Sequence, residues 1–112
     1  MIERYGFGHL VYDGKIYSSD LIIFPDHIRA GWRRREGHRL QLADIEAVTS
    51  EPPEVFLIGT GYFGRMKVDP EVTQYFQQIT TRLVIARSRR AVKEFNRISL
   101  LNKTAAAFHL TC

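Results

Sequence analysis

Four large apolar residues stand in a row at Val55-Phe56-Leu57-Ile58, between Pro52-Pro53-Glu54 and Gly59. A strand with one wet face alternates apolar and polar side chains, so an unbroken run calls for cover on both faces. A second such run, Leu83-Val84-Ile85-Ala86, lies further on. Helical patterns surround both. Leu42, Ile45, Ala47 and Val48 predict a short helix that Pro52-Pro53 must end. Asp69-Pro70-Glu71 supplies a cap, a first-turn proline and an early carboxylate, with Val72, Tyr75, Phe76 and Ile79 on the side to be buried. Ser88 is the expected cap of the next helix, where Ala91, Val92, Phe95 and Ile98 form an apolar stripe. Asn102-Lys103 turns the chain into a last strand, Ala105 to Thr111. Strand-helix-strand-helix-strand in this order predicts a mainly parallel sheet.

The first 40 residues follow a different grammar. Tyr5 to Tyr12 is rich in aromatic and β-branched residues, and Asp13-Gly14 is a hairpin-turn signal before Lys15-Ile16-Tyr17. Leu21 to Phe24 is a short apolar run ended by Pro25-Asp26. His27 to Arg33 then alternates, with Ile28, Ala30 and Trp32 on one side, and reads as a half-buried strand. The expectation is one α/β domain over residues 1–112. It has three layers: a central sheet, mainly parallel or mixed, with helices on it, and a β-rich N-terminal third that adds edge strands or a small flanking sheet.

Composition narrows the function classes. Hydrophobic residues make up 45% and charged residues 25% of 112, which is ordinary for a globular chain and excludes disorder. No apolar stretch approaches the ~20 residues of a membrane helix. Met1-Ile2-Glu3-Arg4 has no apolar signal core and Cys112 is the sole cysteine, so a cytoplasmic protein without a disulfide is expected. The net charge of +4 favours anionic partners. It is concentrated in Arg33-Arg34-Arg35 with Arg39, and in Arg82, Arg87, Arg89, Arg90, Lys93 and Arg97, around an acidic middle of Asp44, Glu46, Glu51 and Glu54. Aromatic residues do not interleave regularly with the arginines, so nucleic acid is not the expected partner.

Gly59-Thr60-Gly61-Tyr62-Phe63-Gly64 matches G-x-G-x-x-G, but the dinucleotide fingerprint needs that loop to open directly into a helix. Here it runs into Arg65-Met66-Lys67-Val68, which reads as extended. The loop and Arg87-Ser88-Arg89-Arg90 each follow a predicted buried strand, so both fall on the carboxyl edge of the sheet, where ligands sit in open α/β folds. A small-anion site there would use Thr60, Gly61, Arg65, Arg87, Ser88 and Arg89; the plainer reading is a tight structural turn beside a basic surface. Tyr62 and Phe63 are candidates for an exposed contact with another protein, and Trp32 joins them as a candidate, although packing anchor is its commoner role. His9, His27, His38 and His109 are scattered without metal-ligand spacing, and His109 amid Ala106-Ala107-Phe108 reads as a satisfied core histidine. No catalytic residue, metal site or cofactor is expected.

Phe7-Gly8, Gly14-Lys15-Ile16-Tyr17, Trp32-Arg33, Ile58-Gly59-Thr60-Gly61, Asp69-Pro70-Glu71, Ala91 with Phe95-Asn96, and Ala106 to Cys112 occur in an order that resembles the Mth-nine-three-eight-type domain. That domain occurs in archaeal and bacterial proteins of unknown function, in the adipogenesis-associated domain-containing protein, and in a mitochondrial complex I assembly factor. The resemblance implies a three-layer α/β fold with a largely parallel central sheet, no established catalytic residues, and a protein-interaction or assembly role. The expected function is therefore a non-enzymatic interaction module, with an unidentified protein or a second copy as partner. The alternative is ligand binding, of a small anion or nucleotide, at the glycine loop.

Overall fold

A computed structural model describes residues 1–112. Its core is a five-stranded mixed sheet. The two apolar runs become β7 (Val55–Gly59) and β9 (Arg82–Ala86), parallel to one another, and β10 (Thr104–Phe108) lies parallel on the other side of β7. From the N-terminal third, β4 (Leu21–Ile23) pairs antiparallel with β10, and β5 (Ile28–Ala30) pairs antiparallel with β4. The remaining N-terminal strands, β1 (Ile2–Gly6), β2 (His9–Tyr12) and β3 (Lys15–Tyr17), form a separate antiparallel meander. Asp13 and Gly14 both take positive φ, 47° and 82°, as a two-residue hairpin turn requires.

Strand alternation sorts the core into two layers. On one face Leu21, Ile23, Val55, Leu57, Ala106 and Phe108 meet α3 (Ser88–Ile98) and the meander. On the other, Ile22, Phe56, Ile58, Ala105 and Ala107 meet a 3-10 turn (Leu42–Ile45), α1 (Glu46–Thr49) and α2 (Pro70–Gln77). The predicted stripe of α3 is buried as read, Ala91, Val92, Phe95 and Ile98 all facing inward. A two-stranded parallel pair, β6 (Arg39–Leu40) with β8 (Lys67–Val68), closes the second face.

Several local expectations change. β9 is an edge strand, so its apolar run is only half covered, and Ile85 is 41% exposed. The strand expected over His27 to Arg33 stops at Ala30, because Gly31 takes φ 69° and Trp32 turns inward, its N–H donating to the Asp20 carbonyl at 2.9 Å. β10 leaves the sheet after Phe108, and residues 109–112 continue as a strap: Leu110 O accepts from Gly8 N, Thr111 O from Tyr62 N and Cys112 O from Arg65 N. Asp69 does occupy the N-cap of α2, yet its carboxylate makes a two-pronged pair with Arg39, at 2.8 and 2.9 Å, rather than capping the helix. Arg87, not Ser88, is the N-cap of α3.

The meander is latched to α3 by one side chain. Asn96 accepts from Ile2 N and donates to Ile2 O, both at 2.8 Å. Asn96→Asp keeps the shape but removes the donor and sets a charge beside the carbonyl. The expected loss is about 2 kcal/mol, a fall in Tm of roughly 8 °C, read by urea and thermal unfolding; a change within error would show that the latch is not used.

Candidate functional site

Gly59, Ala86 and Phe108 end the three parallel strands on one edge, as the position of the glycine loop required. The loop is knitted into the protein. Thr60 N donates to Ala86 O, Gly61 N to Ser88 Oγ, Tyr62 N to Thr111 O, Gly64 N to Gly61 O, Arg65 N to Cys112 O and Met66 N to Thr60 O, all between 2.6 and 3.2 Å. Ser88 is fully buried; its hydroxyl donates to His109 O at 2.6 Å and its N–H to Gly61 O at 3.1 Å. Thr60 Oγ1 donates to Ala86 O at 3.3 Å. Of the loop amides that could cradle an anion, all but Phe63 N are thus taken by the chain itself, and of the residues predicted for an anion site only the Arg65, Arg87 and Arg89 side chains face outward.

The glycines have a packing reason. A Cβ on Gly61 (φ 114°) would lie 2.6 Å from the Cys112 carbonyl carbon and 2.8 Å from His109 Cδ2. On Gly59 it would lie 2.8 Å from both Phe108 Cδ1 and Ser88 Oγ. Backbone passes too close here for any side chain.

Outside the loop stands an aromatic cluster. Phe7, from the β1–β2 turn, packs against Tyr62 at 5.7 Å and Phe63 at 6.0 Å between ring centroids, and Tyr62 against Phe63 at 5.1 Å. Phe7 is 52% and Phe63 54% exposed, while Tyr62 is half-buried. Tyr5 backs the cluster at 6.2 Å from Tyr62, its hydroxyl donating to Leu110 O, and burial pushes its phenol above the ordinary pKa. The rim is basic: Arg87 Nη2 donates to Tyr62 O at 2.7 Å, and the Arg89 guanidinium lies 5.3 Å over the Tyr62 ring. Trp32 does not belong to this face. It is buried, with Nε1 donating to Asp44 O at 2.9 Å, so its role is packing. Phe7 was missed because no pattern in sequence ties it to a loop more than fifty residues away; only the fold brings them together.

Behind the loop is a buried polar cluster that was also not foreseen. Asp20 precedes β4 and His109 follows β10, and the Phe108–Leu21 register sets them side by side. Asp20 Oδ2 lies 2.8 Å from His109 Nδ1 and accepts from Arg34 Nη2 at 2.8 Å; Oδ1 accepts from Leu110 N at 2.8 Å. Burial alone would raise the Asp20 carboxyl, but hydrogen bonds from His109, Leu110 N and Arg34 outweigh it and hold it below the ordinary carboxylate range. The signal available in sequence was an ionisable residue abutting each of two apolar runs, useful only once their antiparallel pairing is known.

Residues 2–109 match the family described as Protein of unknown function (DUF498/DUF598), and the chain belongs to it. The fold is similar to that of the conserved hypothetical protein PH1505 from Pyrococcus horikoshii OT3, at 25% identity and TM-score 0.84, covering 100% of this chain and 99% of that one. It is similar to MT938 at 25% identity and TM-score 0.81, covering 100% and 98%, which bears out the resemblance read from the sequence. XCC1710 from Xanthomonas campestris shares the fold at 19% identity and TM-score 0.79, covering 98% of this chain and 83% of its own.

Gly61→Ala is expected to cost on the order of 3 kcal/mol through backbone strain and overpacking against Cys112 and His109; a denaturation midpoint equal to that of the native chain would contradict the packing account. Asp20→Asn should cost about 3 kcal/mol near neutral pH by stranding Arg34. Because the folded Asp20 carboxyl titrates below its unfolded value of about 3.9, its stabilisation is full above that pH and lost as pH falls through the folded pKa. Urea unfolding should therefore show the gap between native chain and variant narrowing below about pH 4; a gap constant with pH would reject the assignment.

Proposed function

We propose that this chain is a non-enzymatic interaction module whose Phe7, Tyr62 and Phe63 face docks an acidic, apolar-bearing segment of another protein. The observation that carries the reading is the exposure of two phenylalanines in mutual contact, one on the β1–β2 turn and one on a glycine loop most of whose amides are hydrogen-bonded within the chain. Large exposed aromatics beside arginine are the composition of interface anchors. The knitted backbone supports it, since a rigid surface loses little freedom on binding. Arg87 and Arg89 are exposed and contact Tyr62, so the complementary partner is negatively charged. The same charges disfavour self-association through this face. The free thiol of Cys112 fits a reducing, cytoplasmic setting, and no helix is long and apolar enough to cross a membrane.

A second reading, binding of a small anion at the same edge, rests on the arginine side chains of the rim, given that the Thr60, Gly61 and Ser88 groups are internally bonded.

Fluorescence anisotropy of the full chain with a labelled peptide of mixed glutamate and large apolar residues tests the first reading, against basic and neutral polar peptides of equal length. Saturable binding on the order of 10 µM is expected for the acidic peptide alone. It should weaken ~10-fold in Phe63→Ser and on Arg89→Ala, both surface changes that leave folding intact. Equal binding of the three peptides, or indifference to Phe63→Ser, would overturn it. So would a dimer in light scattering that Phe63→Ser abolishes, which would make a second copy the occupant.

A further inference from the structure

Of the two edges of the central sheet, one is blunted and the other is open. β5 is three residues long, carries the exposed Arg29 and is stopped by Gly31 at φ 69°. β9 is five residues long and runs through Leu83-Val84-Ile85-Ala86 without a charge, a glycine or a proline. Its backbone is half used. Arg82 N donates to Glu54 O and Ala86 O accepts from Thr60 N, so these residues face β7. By the alternation of a parallel ladder, the N–H and C=O groups of Leu83 and Ile85 point away from the sheet. No turn or loop of the protein bonds to them. A row of such groups is a template for one kind of guest, another strand.

The side chains along this edge decide what that strand carries. Leu83 and Ile85 lie on the α2 face, where with Thr73, Phe76 and Gln77 they line a groove of about 340 Å³. Val84 and Ala86 pack into the layer of α3, and Arg82 shares their side of the strand. Arg82 at the start of β9 and Arg87 just past its end are both exposed, and the arginine ion pairs of the protein use Arg34, Arg39 and Arg97 instead. The edge is therefore apolar toward α2 and bracketed by uncompensated positive charge. A second copy is the poorer guest. Antiparallel pairing of β9 with itself about Val84 would set an Arg82 beside an Arg87 at each end, and like charges across a ladder destabilise it.

We propose that the free edge of β9 docks an extended acidic segment of another protein, added antiparallel as a further strand of the central sheet. Antiparallel addition is the more stable pairing per residue. Alternate apolar residues of the guest stand opposite Leu83 and Ile85, exchange both backbone hydrogen bonds with them and fill the groove against Phe76. The residues between carry carboxylates, one of which meets Arg82 as an opposite-charge pair across the ladder. The site uses none of Phe7, Tyr62 and Phe63, so it stands or falls apart from the aromatic face.

The test is amide hydrogen exchange of the full chain, read residue by residue by NMR, with a peptide of about seven alternating valines and glutamates. The Leu83 and Ile85 amides should exchange fast in the free chain and at least ~10-fold more slowly at saturation. N-methylation of the peptide's valines should weaken binding ~10-fold or more, while N-methylation of its glutamates, whose N–H groups face solvent, should leave it unchanged. Ile85→Pro, which removes an outward N–H, should match the loss seen on valine methylation, and Arg82→Ala should weaken binding ~3-fold. Should the proline variant unfold, the methylated peptides carry the test. Phe63→Ser should leave the protection intact. Protection that survives valine methylation or is lost in Phe63→Ser would overturn the proposal, as would peptide binding that leaves Leu83 and Ile85 exchanging fast. So would protection in the free chain that rises with protein concentration, which would make a second copy the occupant.

Discussion

The last strand of the chain is the middle strand of the sheet. β10 takes hydrogen bonds from β4 on one side and β7 on the other, so neither half of the sheet is closed until the C-terminal residues are in place. Its composition follows from that position. Ala105, Ala106 and Ala107 are buried under helices on both faces, where small side chains let the two helical layers close on the sheet, and Phe108 fills the α3 side at the end. Pairing β4 with β10 joins segments more than eighty residues apart, a topology whose contacts are gained late in folding because loop closure must come first.

That central position also explains the polar cluster. A strand that ends inside the protein must leave its next residues under cover, and His109 and Leu110 are both buried. Their backbone and side-chain groups need partners, and Asp20 supplies two: one oxygen to Leu110 N, the other to the His109 ring. The same residue accepts Trp32 N through its carbonyl and Arg34 through its carboxylate. One aspartate therefore joins the start of β4, the arginine run and the C-terminal strap, which is why its charge is retained in a place that burial alone would disfavour.

Much of the fold was legible because burial writes itself as periodicity. The run Val55 to Ile58, the α3 stripe and the Asp13-Gly14 turn carry their structures locally. What was not legible depended on pairing between distant segments. Nothing in Arg33-Arg34-Arg35 marks the middle arginine as the buried one, since the segment is irregular and has no repeat to read. Ser88 looked like a cap because serine usually is one; its hydroxyl instead joins the His109 carbonyl to the Gly61 amide, a use visible only when β9 and β10 flank β7. The edge position of β9 was equally hidden, because an apolar run reads the same whether one neighbour or two stands beside it.

The glycine loop illustrates how a motif and its meaning come apart. Its letters suit a phosphate cradle, but a cradle needs amides with nothing else to bind, and here the strap, the Ser88 hydroxyl and neighbouring carbonyls hold all but Phe63 N. The absence of Cβ atoms serves the same end: Gly61 sits against the Cys112 carbonyl and the His109 ring with no room to spare. Loop, strap and polar cluster are consequently one rigid body, with aromatic rings on its outer side and ionisable groups on its inner side. Rigid backing is what lets exposed rings act as anchors, because a surface already ordered gives up little entropy when it is covered. The chemistry of this edge therefore lies in the side chains that the loop displays and conceals, rather than in the backbone that its sequence advertises.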